Sequence, residues 1–295
     1  MRKRYLIRSL VVLGLYLAQG SVVAKEISPD SVTYHQLSES YNISGAYGVQ
    51  NYFFVVNDKD SIIYQLSWDQ NKNTKLIPYR DLSKLNGYYS YAKQVKGEDK
   101  FDLEGVTSCT DNNGFVFYVV NEKTGDLLKI NSQGLLKLDI NYENFPDYKY
   151  EEGNDGFMGV AADCGAQKLY VAKQKNPNIV YTIDLKQNAV TKAYDLSTGS
   201  DSEDDISDLF FTAGKLYVLQ KNKTNVLVMN PYTGNTFNNF GYSSISDRTT
   251  TNDKGIAEGL VVQGGSVYLF LDQKKNLSTY KPQDKSKNVI VEFKI

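Results

Sequence analysis

The chain has 295 residues, 33 basic and 34 acidic, with 23 Tyr, 13 Phe, two Cys and a single His. The even charge balance argues against nucleic acid as a partner, and one histidine argues against a zinc centre or a His-dependent triad. Tyr, Phe, Val and Ile favour half-buried strands, and six prolines with no long Ser/Gly tract leave no visible linker, which suits one large all-β domain.

In chain order, Arg2, Lys3, Arg4 and Arg8 flank an apolar run at 10–17 that is too short to span a bilayer, and Val22 and Ala24 precede Lys25 as small residues. This pattern predicts a secretory signal peptide over 1–24, cut after Ala24, with an uncleaved anchor as the alternative. Cysteine is lacking near the cut, so a lipoprotein anchor is not indicated. Cleavage leaves 271 residues, 29 basic and 34 acidic, with a net charge of −5. The mature chain is then expected to be periplasmic or secreted, without stable membrane insertion. Residues 25–42 read as an arm that packs on the domain or closes it, and 43–295 as the domain itself.

The stretch 101–131, FDLEGVTSCTDNNGFVFYVVNEKTGDLLKIN, reads as three short antiparallel strands joined by turns at 111–114 and at Thr124-Gly125. Its order of parts returns at 156–185, 205–230 and 255–281, with a weaker copy at 43–67. Aligning the residue after the first apolar pair places Gly45, Glu104, Met158, Ser207 and Glu258 in one column, at steps of 59, 54, 49 and 51 residues. A second column, after the second strand, holds Asp58, Glu122, Gln174, Lys221 and Asp272. Five copies at the length of a four-stranded blade predict a five-bladed β-propeller. The surplus length falls in two polar, Tyr-rich insertions, 81–100 and 142–155.

First strands of propeller blades line the central channel, so equivalent positions converge there. Glu104 and Glu258 are expected at the rim, with Asp208 close by. Like charges a few ångströms apart raise one another's pKa, and a divalent cation resolves the repulsion; oxygen ligands favour Ca2+ or Mg2+. The alternative is that these carboxylates cap loops and pair with lysines.

DLEG at 102–105, VNEKTG at 120–125, GFMG at 156–159, DISD at 205–208 and AEG at 257–259 resemble the SdiA-regulated proteins, a bacterial family similar in turn to esterase-like phytase and NHL-type propellers. The resemblance runs from about Ile43 to the end. It implies a five-bladed propeller, export, a bound Ca2+ and no established activity, and it marks Glu104, Asp205, Asp208 and Glu258 as metal-site candidates. Met158 and Gln174 depart from it, each standing where the family pattern has an acid. A thioether is a poor ligand for a hard ion; Glu151, Glu152 or Asp155 could supply a carboxylate instead.

Cys109 and Cys164 follow the first strands of adjacent repeats and should meet at one end of neighbouring blades, as a disulfide in an oxidising compartment or otherwise as two buried thiols. Lys221-Asn222-Lys223 and Lys274-Lys275-Asn276 read as solvated turns, and Gly264-Gly265 as a hairpin turn rather than a phosphate loop. Tyr88, Tyr89, Tyr91, Tyr142, Tyr148 and Tyr150 in the insertions offer either a surface for a ligand or partner, or cover for blade edges. The sequence thus points to an exported Ca2+-binding propeller acting on an unknown small molecule or protein as a binding or scaffold module. A metal-dependent hydrolase of phosphoesters or lactones is the alternative.

Overall fold

The alternating apolar segments form antiparallel ladders, and the computed structural model describes residues 24–38, 41–68, 74–95, 101–141, 156–174, 177–197, 205–245, 256–272 and 289–295. Residues 1–23 of the expected signal peptide (1–24), together with Tyr142, Tyr148, Tyr150, Glu151, Glu152, Asp155, Lys274, Lys275 and Asn276, lie outside these residues. Two strands come from the arm, β1 (Lys25–Glu26) and β2 (Val32–Gln36). Blade 1 holds β3 (Ile43–Val49), β4 (Tyr52–Asn57), β5 (Ile62–Trp68) and β6 (Thr74–Asp81). Blade 2 holds β7 (Leu103–Asp111), β8 (Gly114–Asn121), β9 (Asp126–Asn131) and β10 (Gly134–Lys137). In blade 3 the strands are β11 (Phe157–Asp163), β12 (Lys168–Lys173), β13 (Ile179–Asp184) and β14 (Ala189–Asp195). Blade 4 is built of β15 (Ile206–Thr212), β16 (Lys215–Gln220), β17 (Asn225–Met229) and β18 (Thr236–Gly241). Blade 5 begins with β19 (Ile256–Gln263), β20 (Ser266–Asp272) and β21 (Val289–Lys294).

The fourth strand of blade 5 is β2, in the order β19-β20-β21-β2, so the N-terminal arm closes the ring. Tyr34 stands opposite Val291 in this pairing. The single histidine, His35, sits on the closing strand, bonded through Nε2 to the Glu292 carboxylate at 3.1 Å and packed edge-on against Trp68 of blade 1. Upstream, β1 adds to β18 in parallel. Short segments also bond the outer strands of blades 1, 2 and 3, through Ser38 on Thr74, Asn86 on Leu135, and Asn141 on Asn188 and Val190. These contacts shield edges that would otherwise template foreign strands.

Apolar side chains on both faces of each sheet bury against the neighbouring blades, which is why strands such as β8 and β12 read as almost unbroken apolar runs. Phe54, Phe117, Phe157, Tyr181 and Phe270 are all but fully buried there. Innermost strands β3, β7, β11, β15 and β19 pack in a ring. Four glycines on them, Gly45, Gly105, Gly159 and Gly259, allow that approach. A Cβ on Gly45 would stand 2.5 Å from the Glu104 carbonyl, and one on Gly159 2.8 Å from the Asp208 Cα. The hairpin reading of Gly264-Gly265 holds, with φ of 60° and 74° between β19 and β20.

Cys109 at the end of β7 and Cys164 just after β11 form a disulfide that ties blade 2 to blade 3, with Cα atoms 5.6 Å apart. The first Tyr-rich insertion is not a plain loop: a 3-10 turn (Leu82–Lys84) leads into the helix α1 (Tyr88–Gln94). Tyr91 is buried, its hydroxyl bonded to Asp126, Thr124 and Asn121, and Tyr88 stacks on Phe101, whereas Tyr89 is 76% exposed. Packing therefore accounts for two of these three rings.

Candidate functional site

Each inner strand breaks register near its start: a bulge falls between Ile43 and Gly45, Leu103 and Gly105, Phe157 and Val160, Ile206 and Asp208, and Ala257 and Gly259. A bulge re-aims the residue it inserts. The inserted residues are Ser44, Glu104, Met158, Ser207 and Glu258, all buried, so the sequence column is right in four blades and one residue late in blade 1, where Ser44 replaces Gly45. The backbone of the second column folds back onto the same end. Glu122 N–H donates to the Asp102 carbonyl, Gln174 N–H to Gly156, and Lys221 N–H to Asp205. Both columns thus share one mouth of the channel.

Among the described residues, one group of carboxylates brings its oxygens within 4.8 Å of one another: Asp102, Glu104 and Glu122, all on blade 2. Burial foremost, then the negative fields of Glu122, Asp102 and Glu258, hold the Glu104 carboxyl well above the usual carboxylate range, and Lys221 opposes them. Burial also raises Asp102, and its hydrogen bond with Glu104 works the other way. Next to them on blade 1, Asp58 holds the Lys59 ammonium at 2.6 Å through Oδ2, while its Oδ1 is buried with no hydrogen-bond partner among the described residues.

Of the four residues singled out from the sequence, only Glu104 belongs to this group. Glu258 lies on the blade 4 side, where the Lys221 Nζ contacts its two oxygens at 3.3 and 3.2 Å. Asp205 acts on the same ammonium. Lys221, read from the sequence as a solvated turn residue, is in fact buried, with 7% of its side chain exposed. Burial by itself would lower this ammonium, but Glu258 and Asp205 outweigh it and the net shift is upward.

Asp208 does something else. It occupies the position that is glycine in the other four inner strands, and it is wholly buried. Its Oδ2 accepts the N–H of Ala46 at 3.1 Å and of Leu260 at 2.8 Å, and its Oδ1 accepts the N–H of Leu209 at 2.8 Å. One carboxylate thereby ties the inner strands of blades 4, 5 and 1. Burial pushes this carboxyl well up, against the three amides that favour its charge.

Asp102, Glu122 and Asp58 stand in the sequence within DLEG and the second column, but the convergence of first strands alone does not single them out. As a donor set, three buried or half-buried carboxylates with no thiolate or imidazole among the described residues of the group suit a hard cation such as Ca2+ or Mg2+. The unpartnered Asp58 Oδ1 fits the same demand. Met158 and Gln174, both buried, leave the blade 3 side without a carboxylate at either column.

Solved structures carry the same fold. The glutaminyl cyclase of Myxococcus xanthus superposes with a TM-score of 0.52 at 14% identity, over 89% of this chain and 97% of that one. A streptogramin B lyase gives 0.48 at 12% identity over 89% and 97%, and a gluconolactonase from Xanthomonas campestris 0.46 at 10% over 85% and 72%. No curated protein matches the chain in sequence. The sequence model of the SdiA-regulated family, however, matches residues 46–240, from the inner strand of blade 1 to the outer strand of blade 4, and the chain belongs to that family.

Proposed function

We propose that this propeller is an exported binding module that holds a hard divalent cation, Ca2+ in first place, at the blade 2 side of its channel mouth. The observation that carries this reading is the convergence of half-buried Asp102 with buried Glu104 and Glu122, whose oxygens lie within 4.8 Å of one another. Three carboxylates so close repel one another, and a cation offsets that repulsion. Asp58 is the candidate for a further ligand atom. The bound ion would supply positive charge and Lewis acidity to an oxygen of the ligand.

The disulfide is consistent with an oxidising, extracytoplasmic compartment, and no helix among the described residues is long and apolar enough to cross a membrane. A binding role fits better than hydrolysis. Among the described residues Glu258 is engaged by Lys221 and Asp208 by three amides, so neither carboxylate is held ready as a general base.

Thermal unfolding in EDTA and after add-back of Ca2+ or Mg2+ tests the proposal. A ligand at about 100 times its Kd stabilises by about 2.7 kcal/mol, which raises Tm by roughly 6 °C in a domain of this size. Glu104→Gln and Asp102→Asn should each abolish most of the shift. A wild-type Tm unaffected by either ion, or a shift that survives both substitutions, overturns the reading.

A further inference from the structure

The second column assigns a charge to each blade at the mouth: Asp58 on blade 1, Glu122 on blade 2, the neutral Gln174 on blade 3, Lys221 on blade 4 and Asp272 on blade 5. Of these five column residues only Lys221 is a cation. That cation is not solvated, because 7% of the Lys221 side chain and 8% of the Glu258 side chain are exposed. Its Nζ meets both Glu258 oxygens, and Asp205 and Glu104 also act on it. Taking an ammonium out of water costs several kcal/mol unless opposite charge surrounds it. A lysine held in this way marks a place where the fold has provided for a positive charge.

We propose that Lys221 is a tethered counter-ion that occupies the blade 4 and 5 half of the mouth, confines a metal ion to the Asp102, Glu104 and Glu122 half, and limits how tightly that ion is held. Two effects follow from its position. Its charge repels a second cation bound beside Glu104. It also keeps Glu258 and Asp205 engaged, so a metal with a demand for six to eight oxygens draws on a shortened set of protein ligands. Lys221 therefore acts on the metal through charge and through Glu258, as a positioning residue that touches no ligand itself. This inference rests on the cation reading above, and the two can fail separately.

Two substitutions in the full mature chain test it, with Ca2+ alone as the probe. Lys221→Met removes the charge at similar length. It should melt below the wild type in EDTA, because Glu258 is left buried without its ammonium, and recover in Ca2+. Calorimetry should show Ca2+ bound roughly tenfold more tightly than by the wild type. Glu258→Gln does the reverse: it releases the ammonium toward Glu104 and should weaken Ca2+ binding by a similar factor. Equal affinity in wild type and Lys221→Met, or a Glu258→Gln variant that binds as well as the wild type, overturns the proposal while leaving the blade 2 cation site standing. A wild type that ignores Ca2+ while Lys221→Met binds it has the opposite meaning: the resident-ion reading fails and the tethered counter-ion is upheld. Should Lys221→Met not fold in either medium, Lys221→Gln, which also removes the charge but keeps a hydrogen-bond donor for Glu258, takes its place with the same expected and overturning results.

Discussion

Replacing Asp208 by Ala removes the acceptor for three backbone N–H groups on three inner strands: Leu209 in blade 4, Leu260 in blade 5 and Ala46 in blade 1. Each buried donor left without a partner costs about 1–3 kcal/mol. Against that stands the relief of a carboxylate that is wholly buried, whose desolvation opposes folding by several kcal/mol before its hydrogen bonds are counted. With three donors at about 2 kcal/mol each set against that relief, the balance is a loss of about 2–4 kcal/mol, or roughly 5–10 °C in Tm. Asp208→Asn keeps one acceptor oxygen and should lose about half as much. Urea unfolding followed by the fluorescence of the single Trp68 measures both variants. The Ca2+-induced rise in Tm should stay at its wild-type size, since the Asp208 oxygens are spent on amides. An Asp208→Ala protein as stable as the wild type, or one that is stable but deaf to Ca2+, refutes the assignment of this carboxylate as a backbone tie and returns it to the list of metal ligands.

The disulfide and the buried Glu104 supply two further predictions. Closing the chain between Cys109 and Cys164, a separation of 55 residues, is worth about 4 kcal/mol on the loop-entropy account, so the Cys109→Ser/Cys164→Ser variant should unfold at markedly lower urea; an unchanged midpoint would show that blade packing alone sets the denatured-state cost. For Glu104, burial first and the surrounding carboxylates second raise the folded-state pKa. The folded protein then binds a proton that the unfolded chain has released, so this stabilising term is complete below the ordinary Glu value of about 4.3 and fades as pH rises through the folded value. In EDTA the Tm should therefore fall on going from mildly acidic to mildly alkaline buffer, and the Ca2+-induced shift should grow over the same range. Glu104→Gln should flatten both trends, and a steep EDTA profile that persists in that variant would place the titration elsewhere.

Periodicity made the ring legible, and the reason is local. Each blade repeats the same bulged inner strand and the same hairpin, so DLEG, DISD and AEG can be aligned from nearest-neighbour patterns alone. The one-residue slip at blade 1 has the same origin: without an acidic residue to anchor the column, the repeat pattern puts Gly45 where Ser44 is inserted, and the glycine belongs to the next position, against the Glu104 carbonyl. The helix α1 escaped notice because its seven residues, YYSYAKQ, carry too little apolar period to stand out from a polar insertion. The arm's sequence fits packing and closure equally, because only its pairing with β21, far along the chain, decides the matter.

What alignment cannot show is which charges face each other. Stacking the five repeats compares each blade with its own copies, and by that comparison Glu104, Asp205, Asp208 and Glu258 look like members of one acidic set. The mouth is instead governed by what adjacent and opposite blades place against them. Glu104 meets Asp102 and Glu122 of its own blade. Glu258 meets the lysine of the preceding blade. Asp208, at the position where the other inner strands carry glycine, reaches two other strands and spends its charge on their amides. A like-charged column in a closed ring is therefore a statement about position, and its chemistry depends on where the ring interrupts it. Here a lysine at 221 and an aspartate in place of a glycine divide the carboxylates into one group that invites a cation, one that already holds an ammonium, and one that holds the blades together.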